Sequence, residues 1–340
     1  MAAILATGFG DLVAGTLREL GRMKFSQIAQ TTQRYICFSQ WFKKEKVVLD
    51  EGVGIQRNLM TRLQGAARHV GLMDGDNVNL ADHMSQLQVD WRHVQTSWTV
   101  GYREALMNRG KALVFNVIIP RRTGAMIDLA AEIETRAWAS PGASDTTLPN
   151  GLPYYVVKNA TTGFTGGAPS GHTLVANINP TTVTAWKNYS CPYVSVSKLD
   201  LLPSMRTAAR KIDFQSPVDT PEYAGSPRQH IYVNETTMGQ FEMLGENQNE
   251  NLGRDIASMD GKIVFHGNPI IWVSTLDSDT SNPVYMIDHE TFYPVCLKGD
   301  YLRESKNQAP NQHDWEQYFV DLTYNFLCVN RRRNAVLYIA

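Results

Sequence analysis

From 102 to 139 the apolar positions repeat at helical spacing. Met126, Ala130, Ile133 and Ala137 share one face with Leu129 beside them, while Asp128, Glu132, Glu134 and Arg136 lie elsewhere. The pattern predicts a long helix packed along one side, kinked or briefly broken at Pro120, which has no backbone donor. A second stripe, Leu201, Met205, Ala208 and Ile212, predicts a helix over about 201–211, with Asp200 as N-cap and Pro203 in the first turn, where no donor is lost. A third helix is expected over about 234–251, with Met238, Phe241 and Leu244 on one face. Strands are predicted at 154–157, 262–266, 270–274, 284–288, 317–329 and 335–339, with a turn at Gly267-Asn268-Pro269 and a hairpin tip at Asn330-Arg331-Arg332-Arg333-Asn334.

Two stretches do not supply their own cover, and a third is unusually rich in loop residues. Residues 1–40 mix Gly, Thr, Ser and Gln with isolated apolar residues, among them Leu17 and Leu20, and read as an arm that finds burial only against another surface. Residues 41–100 read as a two-stranded finger turning at Asp74-Gly75-Asp76. Its return limb carries Val89, Trp91, Val94, Trp98 and Val100, more apolar bulk than a lone hairpin shields from water. Residues 140–193 are rich in Gly, Pro, Thr, Asn and Ser and read as an elaborate loop region, for which covering a neighbour is one use. Leu17, Leu20, Trp91 and Trp98 are therefore candidate intersubunit anchors.

At 340 residues the chain exceeds what one hydrophobic core usually serves, and more than one lobe is expected. Lys and Arg number 32 against 33 Asp and Glu, a net charge of -1, which argues against a tight grip on nucleic acid and leaves only local, weak polyanion contact. The four cysteines, Cys37, Cys191, Cys296 and Cys328, form no CxxC pair, so neither a zinc site nor a disulfide framework is indicated and a reducing compartment is preferred. No apolar run reaches the roughly 20 residues that span a bilayer.

The common catalytic motifs are missing: there is no Walker A, no GxGxxG, no GxSxG and no HExxH. Asp277 and Asp279 have the composition of an exposed turn rather than a cation site. His69, His83 and His93 read as solvated, and His289-Glu290 as a surface contact. Arg331, Arg332 and Arg333 fit a solvated turn or a set of intersubunit ion-pair donors. No catalytic, cofactor or metal residue is assigned. The competing class is a soluble α+β enzyme with a noncontiguous site under a long lid.

Several stretches then carry a resemblance. Arg103-Glu104 to Met107-Asn108-Arg109-Gly110, Lys158-Asn159-Ala160-Thr161 to Gly166-Gly167-Ala168-Pro169-Ser170-Gly171, and Trp186-Lys187-Asn188 resemble those of a widespread group of tailed-bacteriophage major capsid proteins. So do Asn251-Leu252-Gly253 to Ala257-Ser258-Met259-Asp260-Gly261-Lys262, Ala309-Pro310-Asn311-Gln312-His313 and Asn330-Arg331-Arg332-Arg333-Asn334.

The resemblance implies an α+β, Hong Kong 97 (HK97)-like capsid fold. Its parts would be an N-terminal arm (1–40), an E-loop (41–100), a peripheral domain with a spine helix and loop-rich insert (101–195), an axial domain (196–310) and a return through the peripheral domain (311–340). It implies a virion shell of hexamers and pentamers closed as an icosahedron around double-stranded DNA and assembled in the bacterial host cytoplasm. A portal, a separate scaffolding protein and a cementing or decoration protein are the implied partners, with no membrane and no cofactor. An encapsulin-like compartment shares the fold and is the nearest alternative. Some relatives lock the shell with a Lys–Asn bond from an E-loop lysine; here no Lys occurs from Val47 to Gly110, so noncovalent contacts or a cementing protein are expected.

Overall fold

The computed structural model describes residues 35–50, 52–63, 65, 67–71, 82–101, 114–214, 228–246, 263–306 and 315–340. The predicted arm with Leu17 and Leu20, and the turn at Asp74-Gly75-Asp76, lie outside these residues.

A π-helical segment, Cys37–Glu45, leads into β1 (Val47–Leu49), β2 (Gly54–Met60), β3 (Met84–Asp90) and β4 (Arg92–Gly101). The long helix α1 (Val114–Ala137) follows and runs unbroken through Pro120, where one helical hydrogen bond is forgone. Next come a single helical turn, α2 (Leu152–Tyr155), then β5 (Gly163–Gly166), β6 (Asn188–Tyr193) and α3 (Leu201–Ile212). The chain continues through β7 (Gln229–Val233), α4 (Glu235–Glu246), β8 (Val264–Phe265), β9 (Asn268–Trp272) and β10 (Val284–Asp288). It closes with β11 (Phe292–Leu297), β12 (Arg303–Lys306), β13 (Trp315–Cys328) and β14 (Ala335–Ile339).

One sheet is ordered β5-β6-β14-β10-β7-β9-β8 and is covered on both faces. Because side chains alternate along a strand, Val284 and Met286 of β10 enter one apolar cluster with Leu201, Met205, Ala208 and Ile212 of α3. Tyr285 and Ile287 enter the other, with Leu129, Ile133 and Ala137 of α1. β7 and β14 divide in the same way, Ile231, Val233, Ala335 and Leu337 to the first cluster and Tyr232 and Val336 to the second. Burial on both faces is why these strands read as unbroken apolar runs. The sheet also joins β5, β6 and β14 to β7–β10, so the predicted boundary at 195/196 between peripheral and axial parts falls inside one sheet.

A second sheet is built on β13. Ten residue pairs, Trp315↔Gly101 to Tyr324↔Arg92, join it antiparallel to β4; β11 pairs with its last residues, β12 with 318–321, and β1 lies parallel to β11 at the edge. This corrects the reading of the finger. The paired ribbon is β2–β3, registered from Gly54↔Asp90 to Met60↔Met84, whereas β4 belongs to the sheet and Trp41 to the core. The apolar return limb finds cover in its own chain: Trp98 stacks on Tyr318 with ring centroids 4.3 Å apart.

Four local readings also change. Residues 154–157 are not a strand, because Pro153 near the start favours the helical turn α2. The β8–β9 turn sits at His266-Gly267, both at positive φ, one residue earlier than predicted. Asp200 precedes α3 but does not cap it; its Oδ2 accepts the N–H groups of Val194 and Ser195 at 2.7 and 2.8 Å. The loop-rich insert covers its own subunit, with Leu152, Tyr154, Tyr155, Val175, Ile178 and Trp186 all buried in the α1 cluster.

Candidate assembly surface

The start of the described chain is fastened to the core at two points. Glu134, predicted off the apolar face of α1, is buried there; its carboxylate accepts the Cys37 N–H at 2.6 Å and the Trp138 Nε1–H at 2.8 Å. Burial pushes its carboxyl up, against these hydrogen bonds, which favour the anion. Trp41 is the second point, ringed by Trp138, Phe292 and Phe326 at 5.0, 5.4 and 5.9 Å. Its Nε1–H donates to the Tyr232 hydroxyl at 2.7 Å.

That hydroxyl lies 2.7 Å from His289 Nε2, while His289 Nδ1 lies 3.1 Å from the Phe292 carbonyl oxygen. A carbonyl only accepts, so the network assigns the proton to Nδ1 and makes Tyr232 the donor to Nε2. Burial holds His289 well below its usual range and lowers His230, whose Nδ1 is 3.2 Å from the same hydroxyl, to about 4. Both are neutral and internal, so the surface reading of His289 is corrected. Burial likewise raises the thiols of Cys37, Cys296 and Cys328, the last two to about 12, which keeps them as unreactive thiols.

The three arginines part company. Residues 330–334 are not a hairpin tip, because β13 and β14 lie in different sheets. Arg331 is 0% exposed and donates to the carbonyls of Tyr155 (2.6 Å), Trp186 (2.8 Å), Gly166 (3.3 Å) and Gly167 (2.6 Å), and to Asn188 Oδ1 (3.2 Å). It ties the insert to the C-terminal crossing within one chain, and the expectation of an intersubunit donor is overturned for it. Glycine is required at 166, since a Cβ there would overlap the Asn188 amide. Arg332 sits 4.4 Å over the Phe164 ring, and Arg333 ion-pairs with Asp288 at 2.9 Å and Glu290 at 3.3 Å.

Trp91 is half-buried and donates to the Gly52 carbonyl at 2.9 Å; Trp98 is half-buried beside Tyr318. Asp277 accepts from the Glu235 N–H at the start of α4 and from Trp272, and Asp279 pairs with Lys158 and Ser281. Among the described residues no three His, Cys, Asp or Glu side chains gather into a metal-binding group.

Among the described residues, one group of exposed large apolar side chains lies on the ribbon. Its root is docked, with Ile55, Leu87 and Val89 buried and the Gln88 N–H donating to the Ala176 carbonyl at 3.2 Å. Its outer part is not: Met60, Met84 and Val70 are exposed, and Leu63 is 83% exposed. A second apolar display is the 194–199 loop held by Asp200, where Leu199 is 93% exposed. Sequence reasoning missed this loop; two apolar residues flanking Ser195-Val196-Ser197-Lys198 are too weak a pattern to flag. Beneath the ribbon root is a cleft of about 400 Å³ between β1, β2 and β11, where Val47, Leu49, Ile55 and Tyr293 alternate with charged side chains.

No family model matches the chain, and no curated protein does either. Solved structures do. The capsid asymmetric unit of Cyanophage A-1(L) aligns over 94% of this chain and 96% of its own, with a TM-score of 0.68 and 10% identity. The capsid of an empty GTA particle aligns over 99% and 98%, at 0.59 and 9%. The mature capsid of bacteriophage PhiM1 aligns over 95% and 92%, at 0.52 and 9%. The chain thus has the HK97-like α+β capsid fold along essentially its whole length.

Proposed function

We propose that this chain is the major capsid protein of a tailed bacteriophage, a subunit that assembles into hexamers and pentamers of an icosahedral head enclosing double-stranded DNA. The observation that carries the reading is the end-to-end match to capsid subunits, 94% of this chain against 96% of the other. The bare outer half of the ribbon supports it, because Met60, Leu63, Val70 and Met84 gain cover only from another surface. In this reading β2–β3 is the E-loop, α1 the spine helix, and the 194–199 loop part of the axial end. The work is binding, with no catalytic step. Contact with DNA is weak, as a net charge of -1 requires. Four buried thiols suit assembly in a reducing host cytoplasm. A portal, a scaffolding protein and a cementing protein are the expected partners.

Expression of the full chain, alone and with its scaffold, followed by sedimentation and electron microscopy, tests this. Large closed particles are the expected result; a monodisperse small species under both conditions overturns it.

A further inference from the structure

Strand β1 leaves one edge of its sheet open. It runs parallel to β11 in the register Val47↔Val295 to Leu49↔Leu297, and the Leu49 carbonyl accepts the Lys298 N–H at 2.9 Å. Backbone groups alternate sides along a strand, so Val47 and Leu49 turn theirs to β11 and Val48 turns its N–H and C=O outward. Among the described residues no strand pairs with β1 on that side. Val47 is 40% exposed and Val48 47%, so the edge is apolar and bare on both faces. Such an edge is a template for another strand.

Lys46 and Asp50 stand two residues either side of Val48 and share its face. Lys46 Nζ lies 3.6 Å from the centre of the Tyr301 ring, and Asp50 pairs with Lys298 at 2.8 Å.

We propose that β1 pairs antiparallel with β1 of a second copy, across a two-fold axis at Val48; the inference rests on the shell reading and assigns one of its contacts between copies. Lys46-Val47-Val48-Leu49-Asp50 is self-complementary in that register. Val48 meets the partner's Val48, and the two exchange both of their N–H to C=O bonds. Val47 lies against the partner's Leu49, and Lys46 against the partner's Asp50 at each end. With one sign of charge at both ends the same pairing would set like against like, so opposite signs are what a two-fold contact requires. A foreign peptide has no need of this symmetry. The contact is isologous and joins copies in pairs. A ladder of five residues falls well under the roughly 1,000 Å² of a stable interface, so it holds where other contacts already position the copies.

A single thiol tests the axis. Val48→Cys sets one thiol of each copy across it, with Cα atoms about 5.5 Å apart, within disulfide reach. Shells of the full-length variant, oxidised and run on non-reducing dodecyl sulfate gels, are expected to give a dimer band and nothing larger, while wild-type shells give monomer. Charge supplies a second readout, the fraction of protein sedimenting as closed shells. Lys46→Asp alone sets carboxylate against carboxylate at both ends and is expected to lower that fraction about fivefold. Lys46→Asp with Asp50→Lys restores opposite charges and is expected to return it to within about twofold of wild type.

Val48→Cys shells that stay monomeric on the gel overturn the contact and leave the shell reading intact. A ladder above dimer overturns the two-fold in favour of a head-to-tail contact, and a cross-link to any other protein assigns the edge to a foreign strand instead. Lys46→Asp protein that assembles as wild type, or a charge swap no better than Lys46→Asp alone, overturns the register. Wild-type protein that forms no shells under any condition overturns the shell reading and this contact together.

Discussion

Arg331 shows how far a single side chain departs from its local sequence. Three consecutive arginines between two strands look like a solvated turn, yet Arg331 is sealed among four carbonyls and one amide oxygen, and burial lowers its guanidinium to about 10. These partners come from 155–188, far away in sequence, so nothing near Arg331 announces them. Arg331→Ala would strand carbonyls that have no access to water, and is expected to cost about 3–5 kcal/mol in denaturant unfolding of the subunit. Arg331→Lys should recover only part of this, because one ammonium cannot present a planar fork to oxygens on several sides. A loss below about 1 kcal/mol for Arg331→Ala would show that the hub is not structural. Glu134 is the parallel case: helical periodicity puts it off the apolar stripe, and it is buried because the π-helical segment lies there and presents its N–H groups.

Two elements carry the next scale, the histidine-bearing strand β7 and the ribbon. His230 is held to about 4 in the folded chain, against about 6.5 when unfolded. Between those values the unfolded chain takes up a proton that the folded chain refuses, so stability rises with pH across the window. The contribution is complete above about pH 6.5, and about 3 kcal/mol of it is gone by pH 4. His230→Gln should flatten the pH dependence of unfolding over that range; an unchanged slope would place its source elsewhere. For the ribbon, Leu63→Asp with Val70→Asp changes side chains that touch no core, so subunit stability should shift by less than about 0.5 kcal/mol while shell yield falls sharply. Shells at wild-type yield would remove the ribbon's outer half from the assembly surface. These elements also show what the sequence made legible. β10 and β14 match their expected bounds because burial on both faces leaves an apolar run between turn residues. The ribbon's existence is legible in the sequence but its length is not, since Trp98 finds its cover in Tyr318, some 220 residues on, and pairing at that separation leaves no local trace. Of the candidate anchors, Trp91 and Trp98 are half-buried in their own subunit, whereas among the described residues the ribbon beyond its root and the 194–199 loop both leave large apolar groups for a neighbour to cover.

At the scale of the whole molecule the question is what holds one copy to the next. No lysine occurs from Val47 to Gly110, so the ribbon has no amine to condense with an asparagine on a neighbour, and the nearby cysteine, Cys37, is buried with its thiol pushed up. In the shell proposed above, cohesion then comes from many moderate interfaces, each on the order of 1,000 Å². None of these need be tight, because in a closed shell each subunit is held by several at once, and releasing it requires breaking them together. Such a shell should be sturdy in native buffer and fragile in detergent. Mature particles boiled in dodecyl sulfate are expected to run as a single band of full-length subunit, with no ladder of dimers, pentamers and hexamers, under reducing and non-reducing conditions alike. A ladder that survives reduction would mean that a covalent bond forms from a lysine outside the ribbon, and that shell cohesion has a source these surfaces do not supply.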